Sequence, residues 1–140
     1  MDCIFCRIIN RELPAARIFE DSDVISFLDI NPVNFGHTLV VPKRHYELLL
    51  DIPGVELGRV TKILPSIARA VMAATKADGL NVFQTNGPCA GQTVPHLHFH
   101  IIPRHTHDDF SFGWRQKKYR GDEMARMQTD IISALKNVGV

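Results

Sequence analysis

The stretch PHLHFHIIPR, residues 95–104, carries histidine at three alternate positions, His96, His98 and His100. Imidazole is a nucleophile, a proton carrier and a metal ligand near neutral pH. The pattern therefore admits a metal site, a catalytic cluster, or the polar face of an ordinary strand. In a strand, residues i and i+2 share a face with Cα atoms about 6.6 Å apart. Two imidazoles at that spacing can reach one zinc, and spacing alone also admits a three-histidine zinc with a position open for water. Strict alternation of three histidines, in a chain that holds seven, argues against the polar face as coincidence. Just upstream lies a loop, GPCAGQT (residues 87–93). Its glycines let backbone N–H groups approach an anion, and Gln92 and Thr93 add neutral donors, as a phosphate cradle needs. Near the N-terminus, Cys3-x-x-Cys6 reads as half of a zinc site, a redox pair, or coincidence. A redox pair usually opens a helix that follows a strand, and no strand precedes this one.

Such groups need rigid elements to hold them. Ile4, Phe5, Ile8 and Ile9 predict a short N-terminal helix. ARIFED and DVISFLD read as two strands around an Asp-rich turn, and HTLVVPK as a central strand, apolar on both faces and ended by Pro42. Val60, Ile63, Leu64, Ile67, Ala68, Val71 and Met72 follow helical spacing, with Pro65 set to kink or divide the helix and Asp78-Gly79 to end it. LNVFQTN and VPHLHFHIIP read as strands, the second with Leu97, Phe99 and Ile101 turned toward the helix. Residues 104–121 look irregular, and a last helix is expected from about Asp122 to Lys136, with Met124, Met127, Ile131 and Leu135 as its apolar side. The expected layout is α+β: a mainly antiparallel sheet, one long helix packed on it, and a short N-terminal helix.

At 140 residues the chain is read as one domain, 1–140, with a core over residues 3–104 and a variable tail over 105–140. A net charge of +1 gives no bulk attraction to nucleic acid or to an acidic membrane. The basic run Arg115–Arg120 is taken as a solvated surface. No apolar run is long enough for a membrane span, and the N-terminus lacks the pattern of a secretory signal. Three cysteines without a disulfide framework suit a reducing, cytoplasmic setting, with Cys89 a free thiol.

The segment GQTVPHLHFHII (91–102) resembles the signature of the histidine triad family. FLDINP (27–32), GHTLVVPKRH (36–45) and Asn86 fall in that family's order and spacing, and the likeness covers roughly residues 3–104. The resemblance implies hydrolysis or transfer of nucleotides attached through the α-phosphate. It makes His98 the nucleophile, with His100, Gln92 and Thr93 beside it as catalytic groups that hold phosphate oxygens and the leaving atom. It also implies a nucleoside held between the N-terminal helix and the second strand. There Ile4, Phe5, Ile8, Phe27 and Ile30 would enclose a purine base and Asp29 would accept the ribose hydroxyls. Asn86 and Gly91 would line the same pocket with Gln92, Thr93, His98 and His100.

Bacterial members of the family imply a closed structural zinc on Cys3, Cys6, His45 and His96, with no organic cofactor. His37 is assigned a structural role at a strand start, and His105 and His107 a solvated loop. A homodimer is expected by resemblance, pairing through the helix and a strand. The loop before the triad is similar to the dinucleoside polyphosphate hydrolases and the N-terminal half to the phosphoramidase-like members, so the leaving group stays open. Two competing functions are a nucleotide-binding adaptor without turnover and a zinc hydrolase that uses all three triad histidines.

Overall fold

The structure is a computed structural model that describes residues 2–140. The elements run α1 (Ile4–Ile9), β1 (Arg17–Glu20), β2 (Val24–Leu28), β3 (Thr38–Pro42), α2 (Gly54–Thr61), α3 (Leu64–Thr75), β4 (Gly79–Gln84), a single 3-10 turn at Pro88–Ala90, β5 (Phe99–Arg104) and α4 (Glu123–Asn137). The strands form one five-stranded sheet in the order β1-β2-β3-β5-β4, and every pairing is antiparallel. This is the expected α+β architecture.

Two separate cores explain why β3 is apolar on both faces. On one face Val24, Val40, Leu97, Phe99 and Ile101 pack with Val60, Ile67, Ala68 and Val71 of α2 and α3. On the other, Ile25, Phe27, Leu39 and Val41 pack with Cys3, Phe5 and Ile8 on and beside α1. Burying each such aliphatic side chain contributes roughly 1.5–3 kcal/mol, so both faces help to order the sheet. The α1 face is the thinner layer, one helix of six residues.

Pro65 divides the predicted helix. α2 ends at Thr61, and α3 restarts at Leu64 with the proline in its first turn, where a missing N–H costs no internal bond. The second helix stops earlier than its sequence pattern implied. Lys76 adopts a left-handed conformation (φ 54°) and its N–H closes on Met72, so Gly79 opens β4 instead of ending the helix. The strand of the histidines is also shorter than VPHLHFHIIP. Its ladder begins at Phe99, because the amides before it are spent elsewhere: Leu97 N–H donates to the Tyr46 carbonyl and His96 N–H to the Val94 carbonyl. The alternation survives all the same, with Leu97 and Phe99 in the helix-side core.

Backbone contacts divide the chain into a unit ending at Asp109 and a second unit, Phe110–Val140, that contains α4. α4 covers the predicted span within a residue or two at each end. Among the described residues no helix is long and apolar enough to cross a membrane.

Candidate active site and metal centre

Four sulfur and nitrogen atoms converge where α1 meets the end of β3 and the approach to β5. Cys3 Sγ lies 3.4 Å and Cys6 Sγ 3.6 Å from His96 Nδ1. Cys6 Sγ lies 3.4 Å from His45 Nδ1, and the two Nδ1 atoms are 3.1 Å apart. A tetrahedral zinc with ordinary bond lengths would set nitrogen–nitrogen edges of about 3.3 Å and sulfur–nitrogen edges of about 3.6 Å. The observed edges lie close to these values. The donor set fits as well. His96 Nε2 lies 2.8 Å from the Pro42 carbonyl, which can only accept, so Nε2 carries the ring proton and Nδ1 is bare for a metal. Burial pulls His96 down to about 4, which keeps it a neutral ligand. Burial and the neighbouring Cys3 thiol push the Cys6 thiol up to about 11, so a cation is what would make a Cys6 thiolate tenable here. Cys3, Cys6, His45 and His96 could therefore hold a metal ion. All four positions would be protein ligands, which leaves none for a catalytic water.

Beside this cluster a cleft of about 250 Å³ opens between α1, the end of β2 and the histidines. Ile4, Phe5, Ile8, Phe27, Leu39 and Val94 make its apolar end, and Asp29, Asn31, Thr93, His98 and His100 its polar end. Ile30 also lines it and is 86% exposed, so a ligand would gain an apolar rim there. Phe5 is set edge-on to Phe27 at 5.4 Å and to His98 at 5.1 Å between ring centroids. One ring thus touches both the apolar end and the triad. The Asp29 carboxylate accepts the Asn31 N–H at 2.8 Å through one oxygen and keeps acceptor capacity toward the cleft.

The two histidines in the cleft are held in opposite tautomers. His98 Nδ1 lies 2.6 Å from the carbonyl of His96, so the proton sits on Nδ1 and Nε2 keeps a free lone pair. Burial lowers the basicity of His98, outweighing that carbonyl bond, so the imidazole is neutral at physiological pH. For His100 the proton is placed by His37. The Val33 N–H donates to His37 Nδ1 at 3.1 Å, which leaves the His37 proton on Nε2. That Nε2 lies 2.8 Å from His100 Nδ1, which must accept, so His100 carries its own proton on Nε2. Burial also draws His100 down to about 4, with the neighbouring imidazoles acting in the same direction. The cleft thus pairs a bare nitrogen on one ring with an N–H on the next, their centroids 4.8 Å apart.

A family model described as the HIT domain matches residues 10–107. The chain belongs to the histidine triad family. A solved structure from Streptococcus mutans superposes with a TM-score of 0.92 at 39% identity, covering 96% of this chain and 85% of that one. A zinc-bound histidine triad protein from Mycobacterium smegmatis superposes with a TM-score of 0.75 at 37% identity, covering 99% and 98%. The adenosine 5'-monophosphoramidase of Saccharomyces cerevisiae is 38% identical over 135 residues, 96% of this chain and 83% of that protein.

Within this histidine triad chain, the cleft gathers Ile4, Phe5, Ile8, Phe27, Asp29, Ile30, Thr93, His98 and His100, but not Asn86, Gly91 or Gln92. The Gln92 side chain is buried and fully engaged. Its oxygen accepts the Gly87 N–H at 2.7 Å, and its nitrogen donates to the Glu47 and Val94 carbonyls. Asn86 accepts the Leu49 N–H and exchanges amide bonds with Gln84. These two amides brace the loop 87–93, whose Gly87 and Gly91 adopt positive φ, against residues 47–49. His37, read as structural, instead meets His100 in the site. The one available signal was its place in GHTLVV, immediately before a strand that pairs with the histidine strand. His105 and His107 are exposed, as expected of a solvated loop.

Proposed function

We propose that the protein hydrolyses nucleotides at the α-phosphate through a covalent nucleotidyl-His98 intermediate, with the AMP moiety of a purine nucleotide in the cleft. The observation that carries this is the 2.6 Å bond from His98 Nδ1 to the His96 carbonyl, which turns a bare, neutral Nε2 to the cleft. In the first step the Nε2 lone pair bonds to phosphorus while the bond to the leaving group breaks. The leaving group departs with the electron pair and takes up a proton from solvent. In the second step water replaces Nε2 on phosphorus and returns a proton to solvent, which releases the nucleoside monophosphate and frees the histidine. His100 donates its Nε2–H, and Thr93 its hydroxyl, to phosphoryl oxygens as charge builds there. Asp29 receives the ribose hydroxyls, and Ile4, Phe5, Ile8, Phe27 and Ile30 hold the base. Gln92, Asn86 and Gly91 support the phosphate loop from behind.

Charge favours one class of leaving group. The residues lining the cleft include a carboxylate and no lysine or arginine. A polyphosphate chain would enter without a counter-charge, whereas a phosphoramidate brings a single anionic phosphoryl group. The relative named as a monophosphoramidase agrees with this choice.

Zinc held by Cys3, Cys6, His45 and His96 would supply cross-linking alone and would tie α1 to the segment that carries His98. Cys3, Cys6 and Cys89 form no disulfide, which fits a cytoplasmic setting. Strand β4 lies at the edge of the sheet, which suits a homodimer that continues the sheet.

The deciding experiment is acid-free trapping during turnover of an AMP-amidate labelled at phosphorus, with a dinucleoside tetraphosphate run alongside. Label on the peptide holding His98, released by mild acid, is the expected result. A steady state with rapid turnover and no such adduct would overturn the mechanism. Faster cleavage of the tetraphosphate would overturn the choice of leaving group.

A further inference from the structure

The loop between β2 and β3 ties His37 into place through three bonds. Asp29 N–H donates to the His37 carbonyl at 2.9 Å, His37 N–H to the Asn34 carbonyl at 3.0 Å, and Val33 N–H to His37 Nδ1 at 3.1 Å. Of these three, the last is the one that meets the ring: with the Asp29 carboxylate 3.7 Å from Nε2, it sets the His37 proton on Nε2, and it comes from an exposed loop residue. Something must hold that loop. The Asn34 side-chain nitrogen reaches the Pro103 carbonyl at 2.8 Å and Asp108 Oδ2 at 2.9 Å. Both partners are acceptors, so the orientation of the amide is fixed. Asp108 is itself gripped by the two-pronged guanidinium of Arg104, at 2.7 and 2.8 Å, and by the His105 N–H at 3.0 Å. The aspartate side chain is only 8% exposed, and Arg104 belongs to β5, the strand that carries His100.

We propose that Asn34, anchored by Pro103 and Asp108, is a positioning residue for the reaction: it holds the Val33 N–H against His37 and thereby makes His100 present N–H, and not a bare nitrogen, to the phosphate. The logic is one of alternation. If His37 moved its proton to Nδ1, its bare Nε2 would accept from His100 Nδ1, and His100 Nε2 would face the phosphate without a proton. Two lone pairs would then oppose each other where a donor is required. Neither Asn34 nor Asp108 lines the cleft. The inference rests on the proposed reaction for its effect on rate, but not for its effect on the resting protein.

Two variants separate the links. Asn34→Ala removes the anchor, and Val33→Pro deletes the deciding N–H while leaving Asn34 in place. Nitrogen-15 spectra of the histidine rings in the metal-loaded protein assign each tautomer directly. The wild type should show His37 and His100 both protonated on Nε2. Each variant should show His37 as a mixture, with kcat on an AMP-amidate lowered at least about tenfold and KM changed by less than about twofold. A merely structural residue would lower stability without that split and without moving the ring proton. A wild-type His37 protonated on Nδ1 overturns the proposal. So does either variant that keeps a single tautomer and full kcat, or an Asn34→Ala protein that fails to fold. If no AMP-amidate is turned over, the functional reading fails while the ring spectra still decide this one.

Discussion

His98 and His100 differ by which nitrogen a neighbour has claimed. A backbone carbonyl takes the Nδ1 proton of one, and another imidazole's N–H occupies the Nδ1 of the other. Replacing His98 with alanine should lower kcat at least about 10³-fold, because the two-step route disappears. Calorimetry should still detect nucleotide binding, since Phe5, Phe27 and Asp29 stay in place. Asp29→Asn should raise KM by about tenfold or more, the scale of a charge-assisted hydrogen bond. It should also erase the preference for ribose over 2'-deoxyribose, which competition with the two nucleotides would measure. Most of these residues were legible in the sequence, because alternation and the family signature point at them directly. His37 was not, since its part depends on a loop folding back so that Val33 meets its ring. Gln92 and Asn86 looked like ligands because an amide near a glycine loop is chemically able to be one. Whether its hydrogen bonds are already satisfied by backbone is visible only in three dimensions.

Among the elements, α1 has the least support of its own. It has six residues and no side-chain cap at its start, and Arg17 bonds the Ile8 carbonyl at its end. Cys3 and Cys6 bracket Ile4 and Phe5, two of the α1 residues that line the cleft. Cys6→Ser should reduce bound zinc below half an equivalent by elemental analysis. It should also raise KM about tenfold or more with a smaller effect on kcat. Hydrogen exchange should show protection lost over residues 4–9 while β2 and β3 stay protected. The strands and their mainly antiparallel sheet were legible in the alternation, though the strand order was not, and Pro65 announced the break between α2 and α3. The stop at Lys76 was hidden, because a left-handed lysine carries no composition signal. The early end of the histidine strand was hidden for a related reason: the competitor for the Leu97 amide is the carbonyl of Tyr46, fifty-one positions away.

For the molecule as a whole, burial of neutral histidines sets the response to acid. An unfolded histidine gains its proton near 6.5, whereas His100 in the fold does so only at about 4. Between these values the unfolded chain binds protons that the native one refuses, so this contribution to stability is lost as pH drops from 6.5 toward 4. The melting temperature at pH 4.5 should lie about 5 °C or more below that at pH 7, read by calorimetry on the His98→Ala protein and the wild type alike. The catalytic rate should hold to lower pH than a free imidazole nucleophile would allow, because burial draws the His98 ring below its ordinary range. The two units of the chain also differ in legibility. The first carries the signature throughout, while in Phe110–Val140 only the amphipathic spacing of α4 could be read. The ring of Phe5 touches Phe27, His96 and His98, so on the proposed reading the metal clasp and the nucleoside wall would share one helix. A cell starved of zinc would therefore hold copies with a sound sheet and a ready nucleophile that nonetheless let their guest slip out. Scarcity of the ion would be felt at the doorway before it was felt at the phosphorus.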